Sequence, residues 1–174
     1  MVDIDECSPV PEPEPAPAPA HPDPSSISPD AWWRFEAATL AVVHKIQPTV
    51  SSDCLRAAVI DYLQRLLRFH AGCQVFPFGS VPLKTYLSDG DIDLTAFGPT
   101  VSDENLANEV RAILASEEQR KDSKFEVKDV QYINAEIKLV KCLVQNIVVD
   151  ISFNQIGGLC TLCFLEKVIF QKLP

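Results

Sequence analysis

The sequence contains no hydrophobic run that approaches the roughly 18 residues needed to span a bilayer. Its amino terminus also lacks the charged start followed by an apolar stretch that marks a secretory signal. Both absences predict a soluble protein of the nucleus or the cytoplasm with no membrane contact. In either compartment the six cysteines are expected to be reduced thiols rather than disulfides.

Lysine and arginine are absent from the first 30 positions, which hold seven acidic residues. This segment accounts for most of the formal net charge of −9, and subtracting its −7 leaves −2 for the rest of the chain. A nearly neutral globular part has no bulk positive field that would attract nucleic acid. Any affinity for RNA must then come from a local patch or from a further segment.

A complete zinc site is missing from the sequence. Cys160 and Cys163 have the spacing of half a site, but no second pair of Cys or His ligands occurs at a matching distance. We therefore expect buried free thiols, with a metal or redox role as the alternative.

A calcium-binding EF-hand loop is also incomplete. Asp89, Asp91 and Asp93 stand at alternate positions, as the first ligands of such a loop do. The sixth and twelfth places, which require Gly and Glu, hold Leu94 and Thr100 instead. We exclude this interpretation and expect Asp89 to be a turn residue.

Proline is concentrated at the amino terminus and is scarce in the rest of the chain. Nine of the fourteen prolines lie in residues 1–30, and such a composition favours polyproline II over a packed core. We predict a disordered acidic tail over residues 1–28. It is either a flexible spacer or a ligand for a protein domain that binds proline-rich segments.

Hydrophobic periodicity predicts several elements after the tail. Ser28 and Pro29 are typical of a helix start, and a helix is expected over 32–46. A second helix is expected over 52–69, and a third begins at Ser102. Extended segments are predicted over 125–130, 132–140 and 147–153, with a hairpin turn at Gln145-Asn146. On the second helix, Arg56, Arg65 and Arg68 are expected on the solvated side, where contact with a nucleic-acid backbone is the alternative.

The residues richest in chemistry lie between Gln74 and Gly98. A short apolar run leads into Gly79-Ser80, where a phosphate can approach the backbone closely. Asp91 and Asp93 follow at a spacing that places both carboxylates on one face of a strand, about 7 Å apart. Two such carboxylates repel each other unless a cation such as Mg²⁺ lies between them. The stretch therefore predicts a site for a nucleoside triphosphate.

Asp150 is a carboxylate in an otherwise apolar strand, where a charge is costly unless it is paired or bound to metal. A salt bridge to Lys138 or Lys141 is one interpretation. The other holds if this strand lies beside the strand that starts near Asp91. Three carboxylates would then meet, as in two-metal phosphoryl and nucleotidyl transfer.

These segments together resemble a known superfamily. Phe78-Gly79-Ser80, ten further residues, Asp91-Ile92-Asp93 and the later VDISFN segment at 149–154 are similar to the polymerase β-like nucleotidyltransferases. The similarity is strongest to the poly(A) polymerase-like terminal nucleotidyltransferases, which include the terminal uridylyltransferases. The segments SDGDIDL and VDISFN look especially like plant members of that group.

The resemblance implies a site and a reaction. Asp91, Asp93 and Asp150 would be the catalytic acids that bind Mg²⁺ or Mn²⁺, and Gly79 and Ser80 would contact the triphosphate. The reaction would transfer a nucleotide, from ATP or UTP, to an RNA 3′ end. A small-molecule nucleotidyltransferase and a non-catalytic nucleotide-binding fragment are the alternatives.

The fold expected is α/β (α+β): a nucleotidyltransferase palm with a mixed sheet of about four or five strands and helices on one face. The palm would occupy residues 29–156, and residues 157–174 would begin a helical domain that is cut short. Since members of the group hold the base with that domain, we expect this chain alone to be weak or inactive.

Overall fold

The computed structural model describes residues 23–99 and 102–172, and the chain divides into two compact units, Met1–Ala41 and Val42–Pro174. Most of the predicted tail, including Cys7, lies outside the described residues. Residues 23–28 are exposed and contain a short 3₁₀ turn, Pro24–Ser26. Helix α1 (Pro29–Ile46) follows, and the Ser28 hydroxyl accepts a hydrogen bond from the Ala31 amide, as expected of a capping residue.

The second unit contains a five-stranded mixed sheet. Its remaining elements are α2 (Val50–Ala71), β1 (Gln74–Phe78), α3 (Ser80–Leu83), β2 (Ile92–Phe97), α4 (Asp103–Glu118), β3 (Val127–Ile133), β4 (Leu139–Val144), β5 (Ile147–Phe153) and α5 (Gly157–Lys172). The strand order is β1-β2-β5-β4-β3, in which β2 and β5 are parallel and the other pairs are antiparallel. The predicted α/β fold with a mixed sheet of about four or five strands is confirmed.

One face of the sheet forms the core with α2 and α4. Alternate residues of the central strands are buried there: Ile92, Leu94, Ala96, Val149, Ile151 and Phe153. The helices contribute Val59, Leu63 and Leu67 from α2, and Leu106, Val110 and Leu114 from α4. Each such side chain stabilises the fold by about 1.5–3 kcal/mol on burial. Since strand residues alternate between faces, Asp93 and Asp150 belong to the opposite face.

Two predicted features are wrong. The segment 132–140 is not one strand, because β3 ends at Ile133, β4 begins at Leu139, and the chain bends between them. Its alternating pattern was misleading, since Ile137 is 52% exposed. Arg56 does not lie on a solvated side, because it is only 3% exposed and its guanidinium has partners inside the protein. The hairpin turn is confirmed, with positive φ at both Gln145 and Asn146.

All cysteines in the described part of the chain are free thiols. Cys73 and Cys142 are buried, and burial raises the pKa of Cys73 to about 11 and that of Cys142 to about 12. Cys160 and Cys163 are exposed, so the expectation that this pair is buried is wrong. Across residues 23–99 and 102–172, the helices are all too short or too polar to cross a bilayer.

Candidate active site

The pairing of β2 with β5 brings two of the three predicted acids side by side. The parallel register places Asp93 directly opposite Asp150, on strands about 4.8 Å apart. Asp91 lies one residue before β2 begins, at the same end of the sheet. The sequence analysis made the meeting of the acids depend on whether these two strands are neighbours. In the structure they are neighbours.

Asp93 is held in an environment that opposes its charge. Partial burial raises the pKa of its carboxyl above the ordinary value, and the negative charges of Asp91 and Asp150 raise it further. The Lys141 ammonium acts in the opposite direction with a smaller effect. The cluster is therefore short of positive charge, which a divalent cation would supply.

Asp150 has one oxygen paired and one oxygen without a partner. Strands β4 and β5 place Lys141 opposite Asp150, and the Lys141 Nζ lies 3.1 Å from Asp150 Oδ2. The other oxygen, Oδ1, is buried and accepts no hydrogen bond in the described structure. Lys138, the alternative ion-pair partner, instead donates a 3.4 Å hydrogen bond to Asn134. A buried acceptor that lacks a donor is costly, and a bound cation would satisfy it.

Gly79 allows the backbone to pass close to the Asp93 carboxylate. Its φ of 73° and ψ of −143° are essentially restricted to glycine. A Cβ at this position would lie only 2.5 Å from Asp93 Oδ2. Ser80 follows directly and begins α3, and Gly79 itself lies against one of the predicted acids.

A cavity of about 480 Å³ opens beside these residues. Its size is within the usual range for a small-molecule ligand. Its lining consists of Ser80, Thr85, Tyr86, Leu87, Asp89, Gly90, Asp91, Lys141 and Val148. A larger cavity, of about 780 Å³, is lined by Tyr62, Phe69 and Phe125 with several basic residues and no carboxylate. The smaller cavity is the candidate site because two of the predicted site residues, Ser80 and Asp91, line it, whereas Gly79, Asp93 and Asp150 are not part of its lining.

The side chains present fit a divalent metal only in part. Within the described residues, no three acidic, His or Cys side chains are placed to hold an ion by themselves. Asp93 and Asp150 are nevertheless paired in register, and Asp150 Oδ1 is left without a partner. Mg²⁺ commonly binds through one or two carboxylates and completes its shell with water and substrate phosphates. The donor set fits an ion that arrives with a triphosphate.

Several residues near the site escaped the sequence analysis. Thr85, Leu87 and Val148 line the cavity without any signal in the sequence that marks them. Arg56 did carry a signal, because it is spaced three and seven residues from Val59 and Leu63, both on the buried face of α2. The sequence did not reveal that Arg56 lies on the buried face, because a charged residue is expected to face solvent.

We expect the Asp93→Asn variant to melt at a higher temperature than the parent near neutral pH without metal. The ionised carboxylate destabilises the fold because its pKa is raised in the folded state. That penalty is present above the raised pKa and disappears as the pH falls towards 3.8, where the parent becomes protonated as well. Thermal melts of both proteins from pH 7 to pH 3 test this. An equal difference at every pH would contradict it.

Comparison with known proteins decides the family. Residues 35–164 match the family described as "Poly(A) RNA polymerase, mitochondrial-like, central palm domain". The chain belongs to this family. A curated relative, the poly(A) RNA polymerase cid14 of Schizosaccharomyces pombe, is 29% identical over 142 residues, which are 80% of this chain and 20% of cid14. The expected similarity to plant members stays a prediction.

Solved structures have the same palm. A structure of the Cid1 poly(U) polymerase aligns with a TM-score of 0.65 and 18% identity, over 82% of this chain and 42% of Cid1. A cytoplasmic RNA terminal U-transferase aligns with a TM-score of 0.64 and 19% identity, over 82% of this chain and 41% of that protein. At this level of identity the match concerns the fold. The chain spans about a fifth to two fifths of the proteins that it matches.

Proposed function

We propose that this palm transfers a nucleotide from a ribonucleoside triphosphate to an RNA 3′ end. The single observation that carries the proposal is the parallel register that places Asp93 beside Asp150, with Gly79 packed against Asp93. Membership of the poly(A) RNA polymerase palm family supports the reaction type. The site chemistry relies on positioning and charge rather than on a nucleophile of the protein.

Each site residue receives a role in this proposal. Asp91, Asp93 and Asp150 would hold Mg²⁺ or Mn²⁺. The metal, when bound, would lower the pKa of the attacking 3′-hydroxyl and offset the charge of the triphosphate. Gly79 would contact the triphosphate through its backbone, and Ser80, which lines the cavity, would contact it through its hydroxyl. Cid1 was solved with MgGTP bound and with Mg 3′-dATP bound, which supports the choice of metal.

The same comparison supports the proposed substrates. Cid1 was solved with the UTP analogue UMPNPP and with the product ApU, whereas cid14 is named a poly(A) RNA polymerase. We propose ATP or UTP as the donor and RNA as the acceptor. One solved neighbour is described as cytoplasmic, and we place this protein in the cytoplasm or the nucleus. The proline-rich tail remains our proposal for a contact with a partner protein.

The test is RNA 3′-extension with Mg²⁺ or Mn²⁺ and each of the four ribonucleotides, comparing the parent with Asp91→Ala. Extension by the parent alone would support the enzyme and identify its nucleotide. We expect little turnover from this chain by itself, so metal-dependent nucleotide binding is measured in parallel. Binding that requires Asp91, without turnover, would favour a non-catalytic nucleotide-binding fragment. Absence of both extension and binding, in a protein shown to be folded, would contradict the proposal.

A further inference from the structure

Arg56 is a buried arginine without a salt bridge. It is 3% exposed, whereas the side chain of Arg65 on the same helix is 71% exposed and pairs with Asp61. Within the described residues the salt bridges do not include Arg56. Burying a guanidinium is costly unless its donors are used. The partners of Arg56 therefore indicate what its burial accomplishes.

The guanidinium joins the start of α2 to the loop that carries Asp91. One terminal nitrogen donates to the Ser52 hydroxyl at 2.9 Å, and the other donates to the Gly90 carbonyl oxygen. The guanidinium carbon lies 4.2 Å from the centre of the Tyr86 ring, a cation–π distance. Both terminal nitrogens and the planar face are thus used, a combination that a lysine could not reproduce, whereas Nε is buried without a hydrogen-bond partner among the described residues.

Tyr86 is itself fixed from the same helix. It is 2% exposed, and its hydroxyl donates to Asp53 Oδ1 at 2.5 Å. The Lys84 ammonium lies 2.9 Å from the same oxygen. The Tyr86 ring under the guanidinium is therefore held at two points. Its backbone belongs to the loop, and its hydroxyl is bonded to the first turns of α2.

The loop packs tightly against this support. The Gly90 amide donates to the Leu87 carbonyl at 2.9 Å, which closes a turn. A Cβ at Gly90 would lie 3.0 Å from the Leu87 oxygen and 3.1 Å from Tyr86 Cβ. The Gly90 carbonyl shares a planar peptide with the Asp91 amide. Holding that carbonyl therefore sets the direction in which Asp91 leaves the turn.

We propose that Arg56 is a positioning residue for Asp91. Arg56 is not among the residues that line the candidate cavity, and it acts by fixing the peptide before the metal-binding carboxylate. The inference rests on the proposed function, because it requires Asp91 to be a metal ligand. Groups that orient a ligand from outside commonly change metal affinity by about 10- to 100-fold.

The experiment is a Mn²⁺ titration followed by electron paramagnetic resonance, using the purified 174-residue chain. The variants are Arg56→Met, Arg56→Lys and Asp91→Ala, with Arg65→Met as the matched control on the exposed side of α2. We expect Arg56→Met to bind Mn²⁺ about tenfold or more weakly. Arg56→Lys should fall between Arg56→Met and the parent, and Arg65→Met should equal the parent. Circular dichroism and thermal melts establish that each variant is folded.

Metal affinity separates positioning from a purely structural role. A folded Arg56→Met protein with a lower melting temperature and the parent's Mn²⁺ affinity would overturn the inference, while Asp91-dependent binding would leave the proposed function standing. If Arg56→Met does not fold, Arg56→Lys decides, and parental affinity in that variant overturns the inference. If Asp91→Ala binds Mn²⁺ as well as the parent, the proposed metal site is wrong and the inference falls with it.

Discussion

Replacing Asp93 by alanine should lower the affinity for Mn²⁺ by at least about 100-fold. This is more than the usual loss when a group that only orients a metal ligand is removed. Asp93 faces Asp150 across two parallel strands, and burial together with the negative charges of Asp91 and Asp150 raises the pKa of its carboxyl. Its loss leaves Asp150 as the one acid within the central strands. Isothermal titration with Mn²⁺ and a non-hydrolysable nucleotide measures the effect. Any RNA extension that the parent supports should disappear as well.

Asp89→Ala is the matched control for this prediction. Asp89 is an exposed acid two residues before Asp91, and it lines the same cavity. It is not in the β2 to β5 register, so its removal should change the affinity less than about threefold, within the context dependence of a surface charge. Equal losses in Asp89→Ala and Asp93→Ala would show that only the summed charge of the loop matters, which contradicts the assignment of Asp93.

Gly79→Ala should have the second-largest effect. The backbone conformation at Gly79 costs other residues about 1–3 kcal/mol. The added Cβ would also meet Asp93 Oδ2 at 2.5 Å, so the carboxylate or the loop must move. A displacement of about 1 Å at a reacting group is enough to lower activity on the order of 100-fold. We expect weaker binding of the Mn²⁺–nucleotide complex together with a lower melting temperature.

Gly72→Ala is the control that separates the effect of backbone strain from that of the clash with Asp93. Gly72 ends α2 with a φ of 63°, and a Cβ there would meet nothing within 4 Å. This variant should lose about 1–2 kcal/mol of stability through its left-handed backbone and retain nucleotide binding. A Gly79→Ala protein that binds Mn²⁺–nucleotide like Gly72→Ala would contradict the role given to Gly79.

The sequence was sufficient to predict those parts of the fold that local residue patterns determine. Alternation identified β5, and Gln145-Asn146 identified the hairpin turn, since both residues tolerate the positive φ found there. The break at 134–138 was missed because Ile137 continues the alternation while remaining exposed. The pairing of β2 with β5 joins residues more than 50 positions apart, and no local pattern contains that information.

Candidate site residues could be predicted from the sequence where the residue type itself indicates the chemistry. The acids could be named because carboxylates in apolar strands are unusual, and the Gly-Ser pair could be named because such a pair lets a phosphate approach the backbone. The choice of Lys141 over Lys138 as the partner of Asp150 required the register of β4 and β5. The cost of a Cβ at Gly79 required the position of Asp93, and the role inferred for Arg56 required the loop around Gly90.

The most direct measurement is a crystal structure of the chain with Mn²⁺ and a non-hydrolysable ribonucleoside triphosphate, recorded at the manganese absorption edge. We expect an anomalous peak between the Asp93 and Asp150 carboxylates, with the triphosphate against Gly79 and Ser80. Manganese bound elsewhere, with Asp150 still paired to Lys141 and no triphosphate at Gly79, would contradict the account.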